Sequence, residues 1–436
     1  MEENGAMDFS TLLRPAFACS CGQTHQCQTR AIHIGKGALE EIPQFLAGCS
    51  RVLVVSDANT KDACGERVVT LLQGAGFTVR EACFEQRTPV EPDERAVAFL
   101  QSQIGPEIEA VVGVGGGVIN DLTKLLSFQH GIFSLYVCTA PSMDGIATNT
   151  SVLTQRGLKF TVATQAPRFI VADLDVLCNA PLRLIRAGIG DVLGKYSALS
   201  DWRIAHLVTG EALCENVWHL VKEALQVCVK NINGCMRREK EAIGRLFESL
   251  ALIGVAAAYV RVSRPGSGAE HLLGHFFEIY GQVHNRPFLS HGENVGYCSL
   301  IVEALRNRLA HEDPSRFAYR FDKAAWEADI RRLFPPLAEE IFRMQNAADT
   351  YANRCAAMIA AWQQIQPVLL RTPGVQAIGA LLRRAGFDCS EFLDLYGEAL
   401  IRDGIRHCND LKVKHTLFQL LADTGLLAEY ATQIEL

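Results

Sequence analysis

The chain has 436 residues, of which 49% are apolar, 21% charged and 8% aromatic. That composition excludes a disordered chain and a small disulfide-held scaffold, and the length suits two or three domains. A net charge of −6, from 42 Lys and Arg against 48 Asp and Glu, argues against a protein that wraps nucleic acid.

No run approaches the roughly 20 apolar residues of a bilayer span, so no membrane insertion is expected. The acidic opening MEEN carries no signal-peptide pattern. Fifteen cysteines, scattered and odd in number, suit a reducing compartment and point to the cytoplasm. In the leader, Cys19, Cys21, His25 and Cys27 run C-x-C-x3-H-x-C. This departs from the C-x2-C half-site of a structural zinc, and the spacing favours a thiol-rich leader over a metal site.

In chain order, AIHIGKG at 31–37 reads as a short strand and turn, and 38–47 as an amphipathic helix. RVLVVS at 51–56 is a buried strand by its β-branched run, ending at Asp57-Ala58-Asn59-Thr60, a turn and cap into a helix over 61–75. A strand starts at 76–79, and Pro92-Asp93-Glu94 opens a helix over 92–104. Residues 110–114 and 133–138 are further buried strands. Strand and helix alternating at about 25–30 residues predict a parallel α/β sheet with crossover helices. Between 145 and 173 the pieces shorten to a hairpin, 150–154 with 158–162, and a last sheet strand at 169–171. Beyond 173, helical periodicity runs through 181–206, 212–231, 240–262, 270–280, 294–306, 348–360, 372–385 and 411–422. The expected organisation is a variable leader over 1–29, an α/β dinucleotide-binding domain over 30–173 and an all-helical metal- and substrate-binding domain over 174–436.

Two constellations carry chemistry. In VVGVGGGVINDLTK at 111–124, a buried strand runs through Gly115, Gly116 and Gly117 into a helix. Bare backbone N–H groups and the positive end of that helix make a cradle suited to a dinucleotide pyrophosphate. A tight structural turn is the alternative. Asp121 and Lys124 lie three apart on the first turn and share a face. Asp57 is placed for a ribose hydroxyl, or serves simply as a cap. In CTAPSMDG at 138–145, Thr139 and Ser142 offer hydroxyls to a cofactor and Asp144 a charge near the reacting centre.

The second constellation is in the helical half. GIGDVLGKY at 188–196 sets Asp191 in a small, apolar stretch, where an unpaired carboxylate is costly to bury and calls for a cation. His271 and His275 stand at i and i+4, and His291 precedes another helix. Asp with two His suits a divalent ion such as Zn, Ni or Fe, with positions left for water or substrate. Histidines satisfied within a helical core would give the same pattern. The zincin motif H-E-x-x-H is absent. His206, His219, His284 and His407 read as ordinary polar or capping residues.

GGGVINDLTK, TAPSMDG, KFTVATQAPRFIVADLDVL, GIGDVLGKY, the DW at 201–202, GSGAEHLLGH and HGENVG together resemble the sn-glycerol-1-phosphate dehydrogenases. More broadly the chain is similar to the group of glycerol dehydrogenases, iron-containing alcohol dehydrogenases and dehydroquinate synthases, over roughly 30–310. The resemblance implies a dehydroquinate synthase-like fold, with a parallel-sheet nucleotide-binding domain followed by an all-helical metal domain. It implies NAD, or NADP, at Asp57, Gly116, Gly117, Asp121, Thr139 and Ser142, with Thr148 near the nicotinamide. It implies one divalent metal ion on Asp191, His271 and His291, and substrate contacts at Asp144, Asp191 and His275. The family reduces dihydroxyacetone phosphate reversibly, and its bacterial members are dimeric, so a homodimer acting on a phosphorylated triose or polyol is expected. His275 and Asp144 are candidate proton carriers. Lys159 and Lys195 are candidate partners for the substrate phosphate, which needs a cation. Asp57 favours NAD by repelling a 2′-phosphate, unless an arginine stands nearby. Rival readings are a polyol dehydrogenase on an unphosphorylated substrate, a dehydroquinate synthase-like lyase, and a non-catalytic NAD-binding module.

Overall fold

RVLVVSD at 51–57 becomes a strand whose residues 52–56 are all buried, as its unbroken apolar run requires of an inner strand of a parallel sheet. The computed structural model describes residues 9–14, 16–155, 158–347 and 351–434. Its strands are β1 (Phe17–Ala18), β2 (Thr24–His25), β3 (Ala31–Gly35), β4 (Arg51–Asp57), β5 (Thr78–Phe84), β6 (Ala110–Gly115), β7 (Phe133–Cys138), β8 (Thr150–Gln155), β9 (Leu158–Ala163) and β10 (Phe169–Asp173). Six form one sheet in the order β3-β10-β7-β6-β4-β5, every neighbouring pair parallel. β8 and β9 make the expected antiparallel hairpin.

The strand alternation builds two cores. Val52, Val54 and Val112 pack with Val68 and Leu72 of α1 (Glu66–Gly74). Leu53, Val55 and Val111 pack with Leu100 of α2 (Glu94–Gln103) and with Ile119, Leu122 and Leu126 of α3 (Gly117–Gln129). The β4-to-β5 crossover therefore covers one face and the next two crossovers the other. Winding reverses between β4 and β6, and it is at the carboxyl ends of such a pair that α/β sheets bind ligands.

The chain divides into two compact units, residues 1–188 with 226–262 and residues 189–225 with 263–436. The change from alternating to helical structure at 173 is thus not where the units part. Helices from there include α4 (Leu182–Leu193), α5 (Lys195–Thr209), α6 (Glu215–Met236), α7 (Lys240–Val260), α8 (Ala269–His284) and α9 (His291–Ala310). α7 returns to the first unit, where Gly254 lies against the backbone of Asp144 and Ala147. By length and composition α7 could cross a membrane, contrary to the reading that no run comes close. With 83% of its apolar window buried, it is a core helix of the first unit.

Other elements differ in detail. The expected helix over 38–47 is a 3-10 turn (Ala38–Glu41) and a single α turn (Ile42–Phe45) containing Pro43. Pro92 lies outside α2, which is capped by Asp93 accepting from the backbone N–H groups of Arg95 and Ala96. The helix expected over 181–206 breaks at Gly194. His291 opens α9 rather than preceding it, because Ser290 and Glu293 form its capping box. Helices at Lys323–Leu333, Ala338–Ala347 and Cys389–His407 were not anticipated.

Candidate active site

In the first unit the predicted cofactor residues gather at the carboxyl edge of the sheet. β6 ends at Gly115, in register with Cys138 of β7, and the Thr139 N–H donates to the Gly115 carbonyl at 3.1 Å. Asp57 ends β4, the neighbour of β6 on the other side. The three glycines are not equivalent. A Cβ on Gly115 would stand 2.5 Å from Ile119 Cβ, so Gly115 serves the close packing of α3 on its strand. A Cβ on Gly117 would meet the Met143 side chain, whereas at Gly116 nothing lies within 4 Å. Gly116 caps α3 and faces open space, so a phosphate can reach the first N–H groups of a 13-residue helix. The cradle fits a dinucleotide.

Asp57 is also a cap, with Oδ1 accepting from the Thr60 N–H at 2.9 Å. Asp121 and Lys124 pair at 2.8 Å and are both buried. Asp121 Oδ2 accepts from the Val152 N–H at 3.1 Å. The Lys124 ammonium also donates to the Gly145 and Thr150 carbonyls and to Thr148 Oγ1. These residues tie α3 to the 145–152 segment. Ser142 and Asp144 are half-buried on the same side, and Lys159 sits half-buried on β9.

The second unit assembles the predicted metal set. Asp191 on α4, His271 on α8 and His291 at the start of α9 each offer a donor atom, all within 4.8 Å of one another. The helices approach closely because Gly190 faces Gly292, Gly296 and Phe387, where a side chain would collide. Each histidine is oriented from behind. His271 Nδ1 lies 2.7 Å from Glu270 Oε1, and His291 Nδ1 lies 2.9 Å from Glu278 Oε1. An ionised carboxylate only accepts, so both Nδ1 atoms carry the proton and both Nε2 lone pairs are left for an ion. His271 Nε2 is 3.3 Å from Asp191 Oδ1. One buried carboxylate and two carboxylate-backed imidazoles fit a borderline divalent ion. His275 stacks on His291 with ring centroids 5.2 Å apart.

Lys195, expected at the substrate phosphate, lies fully buried with its ammonium 2.8 Å from Asp191 Oδ1. Burial alone would raise the Asp191 pKa. The Lys195 ammonium and the nearby His271 and His291 imidazoles together outweigh it, and the carboxyl is held far below its usual range. Burial likewise opposes ionisation of Glu270, and the His271 hydrogen bond and charge, with Ser197 and Lys195, together prevail to lower its pKa.

Sequence reasoning missed Glu270 and Glu278 as supports, although Glu270 lies inside the quoted GSGAEHLLGH and Glu278 three residues beyond it. It also missed a cationic cluster. Lys414 donates to Ser263 Oγ at 3.2 Å and to the Ser267 carbonyl, and Arg264 pairs with Glu211 and donates to the His415 carbonyl at 2.6 Å. Burial lowers the Lys414 pKa well below its ordinary value, and Lys412 and Arg264 lower it further. Burial, then Arg264, lowers that of half-buried Lys412. The signal was K-V-K at 412–414. Asp201, in the quoted DW pair, accepts from the Ala269 N–H at 2.7 Å and from buried Arg306 at 3.0 Å, so it anchors the start of α8.

Fold and donor set together define the class. The sequence pattern of the iron-containing alcohol dehydrogenases matches residues 33–181. The fold is shared with the iron-containing alcohol dehydrogenase of Thermococcus thioreducens, with a TM-score of 0.62 at 14% identity over 94% of this chain and 100% of that one. It is shared also with the glycerol dehydrogenase of Schizosaccharomyces pombe, with a TM-score of 0.56 at 18% identity over 92% and 89%. The glycerol-1-phosphate dehydrogenase [NAD(P)+] of Halalkalibacterium halodurans is 33% identical over 309 residues, 70% of this chain and 77% of that protein. Its namesake from Hyperthermus butylicus is 34% identical over 279 residues, 62% and 76%. The chain belongs to the glycerol-1-phosphate dehydrogenase family.

Proposed function

We propose that the protein catalyses the reversible, NAD(P)H-dependent reduction of dihydroxyacetone phosphate to sn-glycerol 1-phosphate. The observation that carries this, in a chain of that family, is the Asp191, His271 and His291 donor set with Glu270 and Glu278 behind its histidines. Asp191, His271 and His291 would hold one divalent ion, zinc, nickel or iron. Gly116 and the start of α3 would take the cofactor pyrophosphate and Asp57 a ribose hydroxyl, with Thr139, Ser142 and Thr148 along its path. When bound, the ion supplies Lewis acidity to a ketone oxygen and the reduced nicotinamide supplies the hydride.

The remaining work falls to side chains. Glu270 and Glu278 hold the imidazoles in the ligating tautomer. His275, one turn from His271, delivers a proton to the developing alkoxide, and Asp144 contacts a substrate hydroxyl. Lys195 is committed to Asp191. The phosphate is therefore assigned to Lys412 and Lys414, whose crowding with Arg264 an arriving dianion relieves. Lys159 keeps its place as a further phosphate contact. All 15 cysteines are unbridged, which supports action in a reducing cytoplasm, and we assign the enzyme as a homodimer.

The test is NADH oxidation by metal-stripped protein resupplied with Zn, Ni or Fe, on dihydroxyacetone phosphate and on dihydroxyacetone. Metal-restored turnover confined to the phosphate ester is expected, with Lys412→Met raising KM for that substrate about tenfold and leaving cofactor binding unchanged. Turnover on the unphosphorylated ketone alone would replace the reading with a polyol dehydrogenase. No NADH oxidation with any metal would overturn it.

A further inference from the structure

The described part of the leader holds a built hairpin. β1 and β2 pair antiparallel, with Phe17 opposite His25 and Ala18 opposite Thr24. The turn between them is closed by the Cys19 N–H on the Gln23 carbonyl at 2.9 Å and the Gly22 N–H on the Cys19 carbonyl at 3.0 Å. Gly22 has φ +83°, which only glycine adopts without strain.

We propose that Cys19, Cys21 and His25 bind a second divalent ion, zinc by preference, in a structural site separate from the Asp191 centre. Each offers one donor atom, and the three lie within 4.8 Å of one another. Cys21 Sγ stands 3.4 Å from His25 Nε2. A tetrahedral ion with bonds of about 2.3 Å to sulfur and about 2.0 Å to nitrogen sets those atoms about 3.5 Å apart. The pair is already at the separation that a shared ion imposes.

His25 is the independent observation. It is 3% exposed, and its Nδ1 donates to the Tyr259 carbonyl on α7 at 2.9 Å. Its ring stacks on Tyr259 at 5.8 Å and meets Phe17 edge-on at 5.7 Å. A backbone carbonyl only accepts, so Nδ1 carries the proton and the Nε2 lone pair faces the sulfur. That is how ligating histidines are oriented from behind. Cys27, grouped with these three by spacing, lies outside the donor group, and its N–H bonds to the Arg14 carbonyl at 3.1 Å. The sequence spacing misled because the hairpin turn itself brings Cys19 and Cys21 together, with no need for a two-residue spacer. The fourth position is left for water or another thiolate. Through His25 the ion would fasten the leader to α7.

Metal analysis of protein purified under reducing conditions is expected to give about two ions per chain, falling to about one in the Cys19→Ser/Cys21→Ser double variant. Cobalt substitution separates the centres, since thiolate-to-cobalt charge-transfer absorption needs sulfur ligands and the Asp191 centre has none. That band is expected in the wild type and lost in the double variant. Should the variant fail to fold, the wild-type spectrum decides alone. A single ion per chain with no charge-transfer band, or a Cys19–Cys21 disulfide in the reduced preparation, would overturn the proposal.

Discussion

Replacing Gly190 with alanine tests whether the crossing of α4 and α9 sets the metal centre. The new Cβ would lie 2.7 Å from Phe387 Cζ and closer still to the Gly292 carbonyl oxygen. Non-bonded heavy atoms pack at about 3.5 Å, so α4 and α9 must part by about 1 Å to clear that oxygen. Asp191 follows Gly190 on one helix and His291 precedes Gly292 on the other, so their separation grows by a similar amount. Metal–ligand distances tolerate about 0.2 Å, and a misplacement near 1 Å costs about a hundredfold in rate. The expected result is zinc affinity and kcat both reduced by about two orders of magnitude, with about 1–3 kcal/mol lost in stability by overpacking. Affinity is read by competition with a chromophoric chelator, turnover at saturating metal, and stability by thermal unfolding with and without metal. Gly74→Ala, where nothing lies within 4 Å, is the control and should be neutral or slightly stabilising. A Gly190→Ala protein that melts early yet binds zinc and turns over like wild type would refute the reasoning, leaving the crossing with a packing role only.

Glu278→Gln should weaken metal affinity about 10–100-fold by freeing the His291 ring, while the circular dichroism spectrum stays unchanged. Gly116→Val should raise KM for the cofactor with little change in melting temperature, because the site is open. Gly115→Ala should instead lower the melting temperature, because its Cβ meets Ile119. Burial, then the Arg264 and Arg354 charges, lowers the His415 pKa to about 3 from 6.5. Protonation is thus favoured in the unfolded chain, so this stability is complete above pH 6.5 and declines as pH falls towards 3. The loss approaches about 1.4 kcal/mol per pH unit well below 6.5. His415→Gln should flatten the melting-temperature profile between pH 6.5 and 5; an unchanged slope would remove His415 as its source.

The parts of the site legible in the sequence are those where the backbone itself dictates the residue. Gly115 is demanded by helix-on-strand packing, and the buried run of β4 by its place inside a parallel sheet. Asp191 was legible because a carboxylate in an apolar stretch must have a partner. Lys195 was assigned to the substrate phosphate instead, although its pairing with Asp191 four residues back needed only the i,i+4 rule. Glu278 was not legible as the support of His291, because the 12 residues between them say nothing of how α8 meets α9. The basic cluster joins Arg264 to Lys412 and Lys414 from the far end of the chain, a juxtaposition that only the tertiary fold makes. The helix over 389–407 is kinked at Gly397 with φ +68°, which interrupts its period.

Lys195 explains how such a site survives without its ion. A fully buried carboxylate with neither metal nor cation would be an uncompensated charge, and removing one partner of a buried pair typically costs about 3–5 kcal/mol. With Lys195 at 2.8 Å, the metal-stripped protein keeps Asp191 ionised and neutralised, ready to ligate without first losing a proton. Lys195→Met should therefore make stability depend on metal. The variant is expected to melt well below wild type in chelator and to recover most of that difference in saturating zinc, because the ion then supplies the missing positive charge. Thermal unfolding of both proteins in chelator and in zinc measures the coupling as a double difference. Equal destabilisation in the two conditions would mean that Lys195 and the ion do not share Asp191, and the ligand assignment of that carboxylate would fall with it.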